Sequence, residues 1–207
     1  GTTAKLSSQH YLIYDFLVGR HGEATARAYG QANERGIDAV ERLSAKHGID
    51  CEFSRRSAYV YTADRQQLDR MRAEVEAATK LGLPASFVTE LELPFPVAGA
   101  VEFANQAQFH PRKFLLPIAQ AALEAGAQIF EQTEATNIKP GLPNIIETKQ
   151  GPSISARHVL QASGEPLWRN ELFAEAMWLK MSYALGVTLA SGEYPRNMYI
   201  TPDDPMR

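Results

Sequence analysis

The chain has 207 residues, 44% hydrophobic and 22% charged, which is material for a substantial core in one large domain or one and a half. Net charge is −3 with no long basic run, which argues against nucleic acid as a partner, and the apolar stretch 181–190 is too short to span a bilayer. The single cysteine, Cys51, excludes an internal disulfide, and without a signal-peptide pattern the expected location is cytoplasmic.

Ser7 or Ser8 is placed to cap a helix over 9–20 with Leu12, Ile13, Phe16 and Leu17 on its apolar face, and Gly22 breaks it. A longer helix follows over 23–47, with Ala26, Tyr29, Asn33, Ile37, Val40 and Leu43 on one side and Gly48 as its stop. Gly30 and Gly36 inside it each cost about 1 kcal/mol against alanine. They mark either close approach by another backbone or a loosely built helix. Strands are expected at 51–55 and 57–62, the second alternating Tyr59 and Tyr61 against Ala58 and Val60. Asp64 caps a helix carrying Leu68, Met71, Val75 and Ala78, with Gly82 after its end. The stretch 83–96 is punctuated by proline, with a short strand at 86–89.

Alternation over 101–109 predicts a strand that keeps Gln106, Gln108 and His110 on one face. Pro111 suits a first helical position, Phe114, Leu115, Ile118, Ala119, Ala122 and Leu123 recur at helical spacing, and Gly126 closes the segment. A second short strand over 127–133 completes a strand–helix–strand unit. Lys149-Gln150-Gly151-Pro152 between 144–148 and 153–156 reads as a hairpin. A buried strand over 157–163, a helix over 170–178, a strand over 181–189 and a last strand over 197–201 follow. Long helices followed by mixed strands give α+β with a parallel portion.

Few residues carry chemistry by spacing alone. The five histidines are scattered and no cysteine pair exists, so no zinc site is expected. No Gly-x-Gly-x-x-Gly or phosphate-loop pattern occurs, and Ser163-Gly164 lacks the second glycine of a nucleophile elbow. His110 is either a general base or the cap of the helix after it. Tyr59, Tyr61 and Tyr199 either line a substrate pocket or pack on a sheet, and Gln106 and Gln108 share that choice. Lys5 either meets an anion at the start of a helix or sits in solvent. Cys51 reads as an inert core thiol.

Longer motifs carry a resemblance. Gly1-Thr2-Thr3-Ala4-Lys5-Leu6-Ser7-Ser8-Gln9-His10, Gly48-Ile49-Asp50-Cys51-Glu52-Phe53, Ala58-Tyr59-Val60-Tyr61-Thr62 and the run 105–111 occur in that order. So do Ile129-Phe130-Glu131-Gln132-Thr133, 159–163, Ser182-Tyr183 and Met198-Tyr199-Ile200 leading to Pro205-Met206-Arg207. Over nearly its whole length the chain resembles the D-amino-acid-oxidase-like (glycine-oxidase-like) FAD-dependent oxidoreductases, in the branch with a C-terminal Rieske iron–sulfur domain. Three positions depart from the family pattern: Gly164 and Met181, where relatives carry histidine and arginine, and Pro117, inside a helix.

The resemblance implies a substrate lobe with a mixed, mostly antiparallel sheet and helices, plus an incomplete Rossmann-type FAD lobe. It divides the chain into a flavin-contacting segment 1–10, a first part of the substrate lobe 11–109, an inserted middle part of the FAD lobe 110–163 and a second part of the substrate lobe 164–207. Thr2, Thr3, Ala4 and Lys5 correspond to the segment passing the flavin ring and pyrophosphate, Ala135 to the residue meeting adenine, and Ala162, Ser163 and Gly164 to the loop near the phosphates and ribose. Tyr59, Tyr61, Tyr199 and His110 correspond to catalytic candidates, and Gln106 and Gln108 to substrate-binding ones. The implied reaction removes hydride from the carbon next to an amine, with flavin as redox group and an amine or amino acid as substrate.

Read this way, the chain is an internal fragment. Its remaining FAD-lobe partners lie elsewhere in the parent, a 2Fe-2S cluster belongs to a C-terminal domain, and FAD is expected to bind the fragment weakly or not at all. The alternative is a non-catalytic binding or scaffold module that keeps the fold.

Overall fold

The structure is a computed structural model that describes residues 4–163, 183–190 and 194–202. In chain order its elements are β1 (Lys5–Leu6), α1 (Tyr14–Lys46), β2 (Ser54–Thr62), α2 (Leu68–Lys80), β3 (Ala85–Val88), β4 (Gly99–Gln108), α3 (Pro111–Glu124), β5 (Ala135–Lys139), β6 (Asn144–Thr148), β7 (Ile154–Ala156) and β8 (Met198–Ile200). They fall into two compact units, one of Gly1–Ala125 with Leu189–Arg207 and one of Gly126–Thr188.

The first unit is built on a mixed sheet with β4 at its centre. Along one edge β4 pairs antiparallel with the whole of β2; along the other it meets β3 and then β1, both antiparallel. β8 adds to the free edge of β2 in parallel. Ala58, Val60 and Thr62 of β2 and Val101 and Phe103 of β4 are buried on one face. Tyr14 and Ala26 of α1 and Met71, Ala77 and Ala78 of α2 complete that core, each full-sized apolar side chain adding about 2 kcal/mol by leaving water. The Tyr14 ring stacks on Phe103 with centroids 5.7 Å apart.

Local signals place several boundaries where the sequence puts them. Gly22, at φ 79°, breaks α1 into two helical segments. Asp64 accepts the Gln66 N–H and caps a 3-10 turn (Arg65–Gln67) that runs into α2, with Gly82 at φ 81° beyond its end. Pro111 opens α3 and Gly126, at φ 94°, closes it. Gly30 is where α1 is approached closely, though by side chains and not by backbone. A Cβ there would lie 2.8 Å from Leu83 Cδ1, whereas one on Gly36 would meet nothing within 4 Å.

Other expectations are corrected. α1 begins at Tyr14 and not at residue 9, because its cap comes from a distant residue. Glu74 of α2 accepts the N–H groups of Ile13, Tyr14 and Asp15 at 2.8, 2.9 and 2.9 Å. Ser8 is instead a buried tether, its N–H donating to Gln106 Oε1 at 2.6 Å. The strands expected at 51–55 and 57–62 are one strand, β2, with a register shift between Arg56 and Ala58.

The second unit is a small antiparallel sheet, β5–β6–β7, containing the expected hairpin and an unforeseen first strand. Neither 127–133 nor 157–163 forms a strand, and Leu160 is 94% exposed. A buried strand exists only where neighbours pair with its edges, and these segments have none among the described residues. The strand–helix–strand unit is therefore not closed. Residues 183–189 also form no strand, while the helix expected over 170–178 and the positions Met181 and Ser182 lie outside the described residues.

Candidate functional site

The face of the first unit's sheet away from α1 and α2 carries a row of polar and aromatic side chains. Ser86 of β3 stands opposite Glu102 of β4, Glu102 opposite Tyr59 of β2, and Tyr59 opposite Tyr199 of β8. Alternation along β2 adds Ser57 and Tyr61 to this face while burying Ala58, Val60 and Thr62 on the other. The row is hydrogen-bonded as well as aligned. Glu102 Oε1 accepts the hydroxyls of Ser57 at 2.7 Å and Tyr59 at 2.9 Å, and Oε2 accepts that of Ser86 at 3.0 Å.

The rings of Tyr59 and Tyr199 stack, 5.1 Å apart and 11° from parallel, and Tyr61 meets Tyr199 edge-on at 6.4 Å. Burial pushes the Tyr59 phenol up to about 12, with the Glu102 carboxylate adding to the rise against the Ser57 bond. Burial also raises Tyr199, helped by Glu92 and Glu102 and opposed by Asn197. The Tyr199 hydroxyl is buried without a hydrogen-bond partner among the described residues. Beside the row an open cleft of about 1060 Å³ is lined by Tyr61, Phe95, Tyr194 and Arg196 among others. Glu92 at its rim accepts the Arg196 N–H and Asn197 Nδ2, both at 3.4 Å.

A second recess, about 420 Å³, brings together Ala4, Gln108 and His110 with Glu52, Phe109 and Pro111. Its floor is made by backbone bonds: Phe109 N–H donates to the Ala4 carbonyl at 3.0 Å, and His110 N–H to that of Cys51 at 2.7 Å. His110 Nδ1 accepts the Lys113 N–H at 3.4 Å, so its imidazole caps α3. Lys5 lies opposite Gln108 in the β1–β4 pairing. Its ammonium is half-buried with no hydrogen-bond or ionic partner among the described residues, and burial lowers its pKa. Its charge in turn helps burial lower the pKa of His10. A half-buried cation without a partner suits an anionic group such as a phosphate.

Gln106 is not on the tyrosine face. Asn105, at φ 58°, sits in a bulge where Ala104 and Asn105 oppose the single residue Ser57, so side-chain parity along β4 reverses. Gln106 therefore turns to the helix side with Phe103. It is fully buried, its Nε2 donating to Glu34 Oε1 at 2.9 Å while its Oε1 receives the Ser8 N–H. The bulge precedes both glutamines, so Gln106 and Gln108 keep the parity they share, and what it corrects is the placing of Gln106 beside the tyrosines.

Of the remaining expected cofactor residues, Ala135 opens β5 opposite Thr148, and Ala162 and Ser163 follow in the second unit, Ser163 Oγ accepting from Gln161 at 3.1 Å. Thr2, Thr3 and Gly164 lie outside the described residues. Glu102, Ser57 and Ser86 went unnoticed in the sequence. Glu102 falls in the alternating run over 101–109, but only the register puts it beside Tyr59. Among the described residues no group of three or more His, Cys, Asp or Glu could hold a metal ion, and no helix is long and apolar enough to cross a membrane. A Rieske cluster takes two cysteines and two histidines. This chain has one cysteine, buried 3.3 Å from Ser44 Oγ, and cannot hold such a cluster by itself.

The family model described as FAD dependent oxidoreductase matches residues 2–199. The chain is 35% identical over 205 residues to a Bacillus subtilis protein named "Putative Rieske 2Fe-2S iron-sulfur protein YhfW", covering 99% of this chain and 40% of that one. The chain thus spans about two fifths of that relative's length. Among solved structures it is similar to glycine oxidase from Geobacillus kaustophilus, with TM-score 0.56 and 23% identity over 78% of this chain and 44% of that one. It is also similar to L-amino acid deaminase from Proteus myxofaciens, with TM-score 0.55 and 15% identity over 74% of this chain and 34% of that one. At these identities the structural likenesses concern the fold.

Proposed function

The chain belongs to the FAD-dependent oxidoreductase family, and from that premise we propose that it forms the substrate-facing part of an enzyme that oxidises the C–N bond of an amine or amino acid. The observation that carries this reading is the row Ser86–Glu102–Tyr59–Tyr199, a half-buried aromatic and polar surface on the sheet face opposite α1 and α2. Glycine oxidase and L-amino acid deaminase, whose folds this chain shares, are named for amino-acid substrates. FAD, when bound, supplies the hydride acceptor.

The chain's own residues then divide the remaining work. Tyr59, Tyr61 and Tyr199 line the substrate and exclude water from it. The phenols of Tyr59 and Tyr199 stay protonated across the working range, because burial raises both. Ala4 and Lys5 would meet the anionic part of the cofactor, Lys5 being a half-buried cation without a partner among the described residues. Gln108 and His110 border the recess beside Ala4, and His110 holds the start of α3.

The test is an anaerobic titration of the purified parent protein with single amino acids and simple amines, following flavin absorbance. Bleaching by an amine or amino acid supports the reading. A parent protein that binds no flavin, or whose flavin no amine reduces, overturns it.

A further inference from the structure

Glu102 has an unusual set of neighbours for a carboxylate on a sheet face. Its three partners, Ser57, Tyr59 and Ser86, are all neutral hydroxyls. None of the ion pairs among the described residues includes it. A structural surface carboxylate normally answers a lysine or arginine or stands free in solvent. Glu102 is instead held in place by donors that leave its charge uncompensated. Oε1 is filled by two donors on the half-buried side, while Oε2 receives, among the described residues, only Ser86, on the exposed side.

The surroundings point to the same kind of ligand. The next side chains along the row are the stacked rings of Tyr59 and Tyr199, with Tyr61 edge-on beside them. Aromatic faces attract cations through their quadrupole, and a fixed carboxylate among them sharpens that preference. The Tyr199 hydroxyl, on the same row, is buried with no hydrogen-bond partner among the described residues apart from the nearby Asn197 amide that lowers its pKa. A neutral or anionic ligand would leave the Glu102 charge unanswered.

We propose that Glu102 is the specificity-determining residue of this face, receiving the positively charged nitrogen of an organic ammonium at Oε2 while Tyr59 and Tyr199 pack against its carbon skeleton. The inference rests on the preceding reading for the identity of the face as the substrate side, and it narrows the substrate to a molecule recognised through its cationic nitrogen. Glu102 acts through charge and position and takes no part in bond breaking.

The test is calorimetric titration of the intact parent protein with benzylammonium chloride and with its neutral counterpart benzyl alcohol. Benzylammonium should bind at least about tenfold more tightly, the scale of one charge-assisted hydrogen bond. Glu102→Gln, whose amide oxygen can still accept the Ser57 and Tyr59 hydroxyls, should abolish that preference and leave benzyl alcohol unaffected. Ser86→Ala, which frees Oε2 and keeps the charge, should retain the preference. Equal affinities in the unsubstituted protein overturn the proposal even if Glu102→Gln fails to fold, and so does a folded Glu102→Gln protein that keeps the preference. A parent protein without flavin would instead overturn the oxidoreductase reading, while the comparison of the two ligands would still decide the role of Glu102.

Discussion

Tyr59 and Tyr199 face each other across the β2–β8 pairing, which is parallel, with rings 5.1 Å apart and 11° from coplanar. A short strand from the far end of the chain thus completes the aromatic surface that β2 begins. Tyr11 reinforces the junction, its hydroxyl donating to the Pro202 carbonyl just beyond β8. Direct stacking of this kind adds about 1 kcal/mol beyond the area it buries. Tyr199→Ala should therefore lower stability by about 3 kcal/mol, the loss of a large aromatic plus its stack. Tyr199→Phe, which removes a hydroxyl without a hydrogen-bond partner among the described residues, should cost almost nothing. Urea unfolding of the two variants checks the contrast.

The tyrosines also set the alkaline limit of stability. Burial, first among the causes, raises Tyr14, Tyr29, Tyr59 and Tyr199 above the usual range, Tyr59 to about 12. In the unfolded chain a phenol ionises near pH 10, so above that pH the unfolded state releases protons that the folded state retains. The phenols' contribution to stability should be fully present below about pH 10 and be lost as pH rises through the folded values. Spectrophotometric titration of the phenols should show late ionisation of these groups coinciding with loss of helical circular dichroism. Full reversible ionisation in a still-folded protein near pH 10 would contradict the burial of these rings.

Glu74 is the cap of a helix to which it does not belong. Its carboxylate takes the N–H groups of Ile13, just before α1, and of Tyr14 and Asp15 at 2.8–2.9 Å, and the residue is 1% exposed. Glu74→Gln turns one acceptor into a donor facing a backbone N–H. It should destabilise the protein by about 2 kcal/mol, within the range for a buried group left unsatisfied. Chemical denaturation measures this, and amide exchange at Ile13, Tyr14 and Asp15 should accelerate with it.

Gly30 and Gly36 should respond to alanine with opposite signs. At Gly36 the added methyl meets open space, so Gly36→Ala should stabilise the helix by about 0.5–1 kcal/mol. At Gly30 the methyl would lie 2.8 and 2.9 Å from the two δ-carbons of Leu83 and 3.2 Å from the Tyr14 ring, both side chains buried. Overpacking of about 1–3 kcal/mol outweighs the propensity gain there. Melting temperatures of the two variants on either side of the parent value would bear this out.

Gln106 should behave as a structural residue. Gln106→Leu leaves the Ser8 N–H and the Glu34 carboxylate without the partner they share, at a cost of about 2 kcal/mol. In the parent protein its thermal stability should fall while the KM for an amine substrate changes little. A raised KM at unchanged stability would return Gln106 to the substrate.

Local chemistry was legible from the residues alone. Gly22, Gly82 and Gly126 interrupt helices because they adopt positive φ, Asp64 and His110 cap because their side chains reach the next free amides, and Gly151 turns the β6–β7 hairpin. The tyrosine periodicity of β2 was equally plain, since alternation puts Tyr59 and Tyr61 on one face whatever the neighbours. Family membership was legible too, through motifs strung along nearly the whole chain and matched over 2–199.

Tertiary structure decided what depends on pairing between distant segments. The bulge at Asn105 reverses the parity of β4 and sends Gln106 inward, and no local rule announces it. Glu74 starts α1 from a position 60 residues away from Tyr14, which is why the Ser7 and Ser8 signal misled. Segments 127–133 and 157–163 have strand-like composition but no edge to pair with among the described residues. Glu102 acquires meaning only once the register sets Ser86 on one side of it and Tyr59 on the other, because hydrogen bonds across a sheet join residues that the sequence keeps far apart.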